Sequence, residues 1–403
     1  MASPFPPATP SISRICSSLL RWFERHARDL PWRRTRDPYA IWISEVMLQQ
    51  TQVRTVIPYF NRWMRELPTL QALANAGPTR VLKLWEGLGY YSRARNLHLA
   101  AQHVLHNHGG TPPNDFNTWV QLPGVGRYTA GAICSIAYNQ PTPILDGNVI
   151  RVLTRVFAIH QEVNAPATRA LLWTLAGSLV QTAARLEQKS QSRFPNACSN
   201  LNQALMELGA LICKPLNPDC PSCPLKLSCL ARATNRVQSF PKSSPRPSTV
   251  AKRHAAFVIR SGKRYWVRER PAGGVNPFLW EFPCAEDLPA HAPVKRVAAS
   301  VLRSRPHRIT PLFDIRHSIT RHRIHLKVFE CLLSPGAADR LAGGHWLGKR
   351  QLNTLPFTAA HGKILKRILT KIGAKDPAHP APKRTSRRSR APHKRNPAIV
   401  RAS

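Results

Sequence analysis

The chain has 403 residues, with 59 Lys and Arg against 20 Asp and Glu and a formal net charge of +39. A charge so one-sided repels itself in a compact state and suits a polyanionic partner, nucleic acid first among them. No apolar run is long enough to span a bilayer, and Met1–Pro10 is proline-rich without a basic stretch leading into an apolar one, so neither a membrane nor a secreted protein is expected, and the expected compartment is cytoplasmic.

Residues 1–10 are expected to be disordered, and residues 11–232 mostly helical. Apolar residues recur there at spacings of three and four, as in Ile41, Trp42 and Val46, and again in Leu171, Leu172, Leu175 and Leu179. Asp37-Pro38 predicts a helix start, an N-cap acid followed by proline in the first turn. Glu45 is the one charged residue between Asp37 and Arg54. Apolar neighbours would strip water from its carboxyl and raise its pKa, leaving it protonated near neutrality as a general acid. Periodicity alone equally allows Glu45 to face water.

Phe116–Leu122 predicts a helix. Leu122-Pro123-Gly124-Val125-Gly126-Arg127 predicts a short turn, and a second apolar helix starts near Tyr128. Free N–H groups in such a hairpin, with glycine permitting close approach, suit a phosphate of the nucleic-acid backbone. It would grip without reading sequence. An ordinary turn between two helices is the plainer alternative. Asp146 precedes another apolar helix and fits an N-cap. It also fits a fixed anion beside a developing cation, and one carboxylate can do both. Cleaving an N-glycosidic bond builds positive charge on the sugar, and a protonated acid paired with a carboxylate is how glycoside hydrolases meet such charge.

Cys213, Cys220, Cys223 and Cys229 leave gaps of six, two and five residues within a stretch of seventeen. Disulfides do not suit a chain expected to be intracellular. Zinc stays open, although four-cysteine zinc sites usually pair two short gaps. An iron–sulfur cubane, in which each thiolate reaches a different iron, suits uneven gaps better. Cys16, Cys134, Cys198, Cys284 and Cys331 are scattered and are expected to be buried small hydrophobes.

Residues 233–251 turn to Ser, Pro and Lys and read as a linker. Residues 252–372 are expected to form a smaller α+β domain. Strand-like Ala255–Arg260, Tyr265–Glu269 and Ile324–Leu333 surround helical Val294–Arg303 and Ala359–Lys371. Residues 373–403 hold nine Lys or Arg against one acid and are expected to be a basic disordered tail. Without that tail's +8, about +31 remains on the rest, so the basic character is not only a tail effect.

Together, Leu30-Pro31-Trp32-Arg33, Trp42–Val53, Leu122–Ala132, Leu145–Arg151, Asn202–Gly209 and the four cysteines resemble the helix–hairpin–helix DNA glycosylases that carry an iron–sulfur cluster, and among these the adenine DNA glycosylases of the MutY type. The resemblance implies a multi-domain protein: an all-α helix–hairpin–helix glycosylase domain with one [4Fe–4S] cluster, then an α+β Nudix-like domain for lesion recognition. It implies a monomer acting on double-stranded DNA with adenine opposite 8-oxoguanine or guanine. By resemblance, Glu45 protonates adenine at N7 and Asp146 stabilises the oxocarbenium ion or bonds to it transiently, supported by Tyr128 and Asn148. Trp32, Arg33 and Gln203 would line the pocket for the flipped adenine, and Gln50 would fill the gap left in the duplex. Gly124, Gly126 and Arg127 would bind DNA. Cys213, Cys220, Cys223 and Cys229 would hold the cluster, which serves DNA binding and folding rather than chemistry.

In the endonuclease III branch of this group, the position after the hairpin arginine is a lysine that attacks the sugar as an amine. Here it is Tyr128, and a phenol forms no Schiff base, so glycosylase activity without efficient strand cleavage is expected. Val294–Arg303 has no acid with which to hold a divalent metal, so the second domain is expected to lack pyrophosphatase activity. The family's 8-oxoguanine reader is a Phe-Ser/Thr-His loop before a strand. The matching segment here is Ile319-Thr320-Arg321-His322, in which only the hydroxyl is kept in place and His322 can substitute after a one-residue shift. Ile319 and Ile324 also fit the core of a strand. Two other functions stay in play: a bifunctional glycosylase and lyase of the endonuclease III type, against which Tyr128 argues, and a non-catalytic DNA-binding protein built on the four-cysteine metal site, which would need neither Glu45 nor Asp146.

Overall fold

The computed structural model describes residues 10–190, 193–242, 248–334, 336–338 and 341–373. The expectations for residues 1–9 and 374–403 lie outside the described residues. The first part of the chain is helical: α1 (Ile12–His26), α2 (Pro38–Leu48), α3 (Val53–Glu66), α4 (Leu70–Ala74), α5 (Pro78–Trp85), α6 (Ser92–Asn107), α7 (Phe116–Gln121), α8 (Arg127–Tyr138), α9 (Gly147–Val156), α10 (Pro166–Ser190), α11 (Ala197–Leu211) and α12 (Leu230–Ala233). Asp37 caps α2 by accepting from the N–H groups of Tyr39 and Ala40, and Pro38 opens the helix. Helix α2 is buried on every side from Tyr39 to Met47, because α3, α6 and α8 all pack on it. A helix enclosed in this way has no polar face, and so gives no amphipathic signal in its sequence.

One continuous core joins these helices around Trp42, Trp63, Trp85 and Trp119, each almost wholly buried. Truncating a ring of that kind costs about 3–5 kcal/mol. The Trp63 indole donates to Tyr39 Oη at 3.1 Å, and Tyr39 Oη donates to the Leu67 carbonyl at 2.8 Å, so these two polar tips are paired, whereas the buried Trp42 Nε1 has no hydrogen-bond partner among the described residues.

The second part holds β1 (Val250–Ser261), β2 (Arg264–Glu269), β3 (Trp280–Glu281), β4 (Cys284–Ala285), α13 (Val294–Leu302), β5 (Pro306–Ile319), β6 (His322–Leu333), β7 (His345–Gly348), α14 (Lys349–Thr354) and α15 (Ala359–Gly373). The sheet is mixed, in the order β3-β2-β1-β6-β5, with β1 and β6 parallel and β5 and β6 antiparallel. Ala255, Phe257 and Ile259 point to the α13 face, and Ala256 and Val258 to the α15 face. Covered on both sides, β1 reads as a continuous apolar run rather than an alternating one. Strand β5 is an edge strand with proline at 306 and 311 and register shifts beside both, and the sequence did not predict it. Prolines and bulges are tolerated at an edge, where one row of backbone groups faces outward.

The two parts are joined by contact as well as by chain. Leu279 is buried in the helical core. Glu86 accepts from the Phe357 N–H at 2.9 Å, Lys83 donates to the Leu355 carbonyl at 2.9 Å, and the Tyr91 hydroxyl donates to the Phe357 carbonyl at 3.3 Å. Among the described residues no helix is long and apolar enough to cross a membrane.

Candidate active site

A cavity of about 510 Å³ opens between α2, α8, α9 and α11. That is ample for a small ligand. Glu45, Tyr128, Asp146, Asn148, Trp32, Arg33, Gln203 and Gln50 all line it, so residues spread over more than 150 positions of sequence meet in one place. Helix α2 brings Glu45, the N-terminus of α9 brings Asp146 and Asn148, and α8 brings Tyr128 from just behind the hairpin. Close packing of α9 on α11 depends on Gly209, where a Cβ would fall 2.5 Å from Asn148 Cβ.

Glu45 is 5 % exposed, so it does not face water. The Tyr128 hydroxyl donates to its Oε2 at 2.6 Å. Burial pushes the Glu45 carboxyl up to about 7; Tyr128 opposes the rise, and the nearby Asp146 adds to it. Asp146 is the N-cap of α9: Oδ1 accepts from the Val149 N–H at 2.7 Å, and Oδ2 accepts from the Asn148 amide at 2.9 Å. Burial raises its pKa as well, held in check by those hydrogen bonds and by Arg151. The capping role and a place in the cavity coexist, as the sequence allowed.

Two further residues complete the wall. Glu207, on α11, accepts from both Arg28 and Arg33, with Arg28 Nη2 at 2.7 Å and Arg33 Nη2 at 3.0 Å. Burial works against its charge, yet hydrogen bonds from the two guanidiniums hold the Glu207 carboxyl down at about 2. Arg33 also donates to the Gln203 side-chain oxygen at 3.1 Å, and the Gln203 amide donates to Ser199 Oγ at 3.1 Å. The polar groups of this wall are therefore fixed against one another. The sequence reading missed Arg28 and Glu207, although Gln203 and Glu207 stand four apart on one helix face.

Arg151 was also missed. It donates to Asn148 Oδ1 at 2.7 Å on one side and to the Cys213 carbonyl at 2.7 Å on the other, so it ties the cavity to the cysteine loop. Cys213, Cys220, Cys223 and Cys229 all line one hollow together with Arg155, and none is in a disulfide. Arg155 Nη1 lies 3.4 Å from Cys213 Sγ, and the other donors of this buried guanidinium reach the Lys214, Pro215, Val237 and Phe240 carbonyls. Among the described residues no three such ligands converge as they would on a single metal ion. A cluster whose irons each take a different thiolate asks for four cysteines around one hollow and fits this arrangement.

The hairpin forms as expected, with Gly124 at φ +75° and with Gly124, Gly126 and Arg127 exposed. Gly126 opens α8 without a side-chain cap, which leaves the first N–H groups of that helix available to an anion. Arg127 lies over the Trp173 ring at 4.1 Å. In the second part, Ile319, Thr320, Arg321 and His322 form the tight turn between β5 and β6, with Thr320 at φ +51°. Ile324 is in the core, but Ile319 is not: it is 39 % exposed. It sits at the tip, where neither helix layer covers the sheet.

Residues 43–177 match the HhH-GPD superfamily of base excision DNA repair proteins, and residues 255–367 match the NUDIX domain. The chain is 35% identical to the adenine DNA glycosylase of Rattus norvegicus, over 87% of this chain and 77% of that protein. It is 33% identical to that of Homo sapiens, over 88% of this chain and 74% of that one. The chain belongs to the adenine DNA glycosylases. The adenine DNA glycosylase of Buchnera aphidicola subsp. Acyrthosiphon pisum is 34% identical over 66% of this chain and 72% of its own length. Among solved structures, a thermostable thymine-DNA glycosylase is similar, with 27% identity and a TM-score of 0.48 over 55% of this chain and 97% of that one. The glycosylase therefore consists of a helical HhH-GPD domain followed by a NUDIX-like domain with a mixed sheet. It is a base excision repair enzyme that hydrolyses N-glycosyl bonds, and its substrate is DNA.

Proposed function

We propose that this glycosylase removes adenine mispaired with 8-oxoguanine or guanine from duplex DNA, acting as a monomer and without efficient strand cleavage. The observation that carries the proposal is the pairing of Glu45 and Asp146 in one cavity, with Glu45 pushed up to about 7 and Tyr128 holding its Oε2. Near neutrality Glu45 is then protonated in about half of the molecules. Its proton goes to N7 of a flipped adenine. The electrons of the C1′–N9 bond pass to the base, and Asp146 balances the positive charge left on the sugar. Water adds to C1′ and returns a proton to Glu45. Trp32, Arg33 and Gln203 hold the base, while Gln50 fills its place in the duplex.

No lysine lines the cavity among the described residues, and the Tyr128 phenol cannot form a Schiff base, which supports hydrolysis over lyase chemistry. Cys213, Cys220, Cys223 and Cys229 would hold a [4Fe–4S] cluster, which supplies a fixed DNA-binding loop rather than a reacting group. Gly124, Gly126 and Arg127 grip the phosphate backbone. The β5–β6 turn, Ile319 to His322, reads the base opposite adenine. Helix α13 carries no acid, the buried Glu281 is bound by Arg268 and Arg270, and no group of three acids, cysteines or histidines that could hold a metal ion is found among the described residues, which supports the absence of pyrophosphatase activity.

Single-turnover adenine release from a duplex with adenine opposite 8-oxoguanine tests this, with and without an alkaline step that breaks abasic sites. Breaks that appear only after alkali are expected. Breaks without alkali would point to a lyase, and no adenine release from cluster-loaded protein would leave a non-catalytic DNA binder as the better account.

A further inference from the structure

Two exposed turns stand in left-handed backbone, Gln50 at φ +57° on the wall of the cavity and Tyr90 at φ +47° outside its lining. The Tyr90 ring is 46 % exposed. One side chain joins the two turns. From the first turn of α6, Arg93 Nη1 donates to the carbonyls of Val46 at 2.7 Å, Met47 at 3.0 Å and Gln49 at 2.8 Å. Its Nη2 donates to the Leu88 and Gly89 carbonyls at 3.2 and 3.1 Å and to Thr51 Oγ1 at 3.4 Å. The guanidinium also faces the Trp85 and Tyr90 rings, 5.1 and 5.7 Å from their centroids.

This is an uncommon use of an arginine. No carboxylate is among its partners, so it does not form a salt bridge. Its acceptors are the last carbonyls of α2, which no intrahelical N–H can satisfy, and the carbonyls at the base of the Tyr90 turn. A planar fork can reach both sets at once; a point charge cannot. The same helix also sets the hairpin, since a Cβ on Gly124 would fall 2.6 Å from Asn96 Cβ. Helix α6 therefore fixes the spacing of the Gln50 turn, the Tyr90 turn and the phosphate-gripping hairpin.

We infer that Arg93 is a positioning residue for base extrusion: it locks the Gln50 and Tyr90 turns together so that both tips enter the duplex as one rigid wedge when adenine leaves the stack. The inference rests on the base-flipping reading above. Arg93 touches no reacting atom. Its effect falls on the extrusion step, which costs a few kcal/mol and needs both tips in register.

The test uses full-length, cluster-loaded protein in a Glu45→Gln background, which stops cleavage, and a duplex with 2-aminopurine in place of the target adenine opposite 8-oxoguanine. Fluorescence reports extrusion, and anisotropy reports binding. Adding Arg93→Gln should reduce the extruded fraction relative to the bound fraction by about ten-fold or more, while binding changes by less than about three-fold. Arg93→Lys, which keeps the charge and loses the fork, should fail to restore extrusion, and it carries the test if Arg93→Gln does not fold. Adding Gln50→Ala to Arg93→Gln should cause little further loss, because both act on the same step. Extrusion at the parent level in Arg93→Lys or Arg93→Gln would overturn the proposal, as would binding and extrusion falling together. A parent protein that binds the duplex without extruding the base would instead overturn the reading on which the proposal rests.

Discussion

Two glutamates line the same cavity and are almost equally buried, Glu45 at 5 % exposed and Glu207 at 1 %. One is pushed up to about 7 and the other held at about 2. Burial penalises the charge on both. The difference lies in their partners: Glu45 has one neutral hydroxyl and a neighbouring carboxylate, and Glu207 has two guanidiniums. Arg33 acts on Glu45 only from a distance, as the smallest of the influences on it, and is hydrogen-bonded to Glu207 instead, so what favours an acid catalyst here is burial without a cation bonded to the carboxyl. The NUDIX-like domain shows the other side of the rule. Its buried Glu281 is bound by Arg268 and Arg270 and is built in as a strut.

The comparison breaks first at Glu45. Glu45→Gln keeps the shape and removes the proton donor, so single-turnover adenine release should fall by about three to four orders of magnitude with duplex binding retained. A loss of less than about ten-fold would remove Glu45 from the chemistry. Asp146→Asn sharpens the reading of its partner. Asparagine still caps α9, so a residue that only caps would tolerate the change. An anion facing a cationic transition state would not, and adenine release should fall by about a hundred- to a thousand-fold while the melting temperature barely moves. Equal loss of stability and rate would return Asp146 to the plain capping role.

What the sequence disclosed, and what it did not, follows the same physics. Asp37-Pro38, the hairpin glycines and Asp146 were legible because caps and turns are set by neighbours in sequence. The fate of Glu45 was not, because α2 is covered on all sides and has no polar face against which to compare it. Arg28 and Glu207 lie 179 positions apart, and no local pattern joins them. Arg93 sits in Ser92-Arg93-Ala94-Arg95-Asn96, which reads as an ordinary solvated helix start. Only the folded chain reveals that its guanidinium is turned inward onto carbonyls. Strand β5 went unseen for the reason that makes it an edge, since its prolines and exposed arginines break the apolar run that marks a central strand.

The smallest expected effect separates the two glutamates by pH. The Glu45 carboxyl is raised in the folded state from 4.5 to about 7, so its contribution to stability is fully present below pH 4.5 and is lost as pH rises through 7. Glu207 is lowered from 4.5 to about 2, so its contribution is present above pH 4.5 and is lost as pH falls through 2. Urea unfolding at pH 5 and pH 8 reads both. Glu45→Gln should gain on the wild type between pH 5 and pH 8 by on the order of 2 kcal/mol, because the variant no longer buries a charge at the higher pH. Glu207→Gln should be less stable than the wild type by a similar amount at both pH values, because it leaves two arginines short of their partner throughout that range. Adenine release should follow the first pattern and not the second, falling about ten-fold per pH unit once Glu45 has lost its proton. A rate that stayed flat from pH 6 to pH 9 while the Glu45→Gln stability difference appeared as expected would mean that Glu45 titrates in the cavity without being the group that delivers the proton.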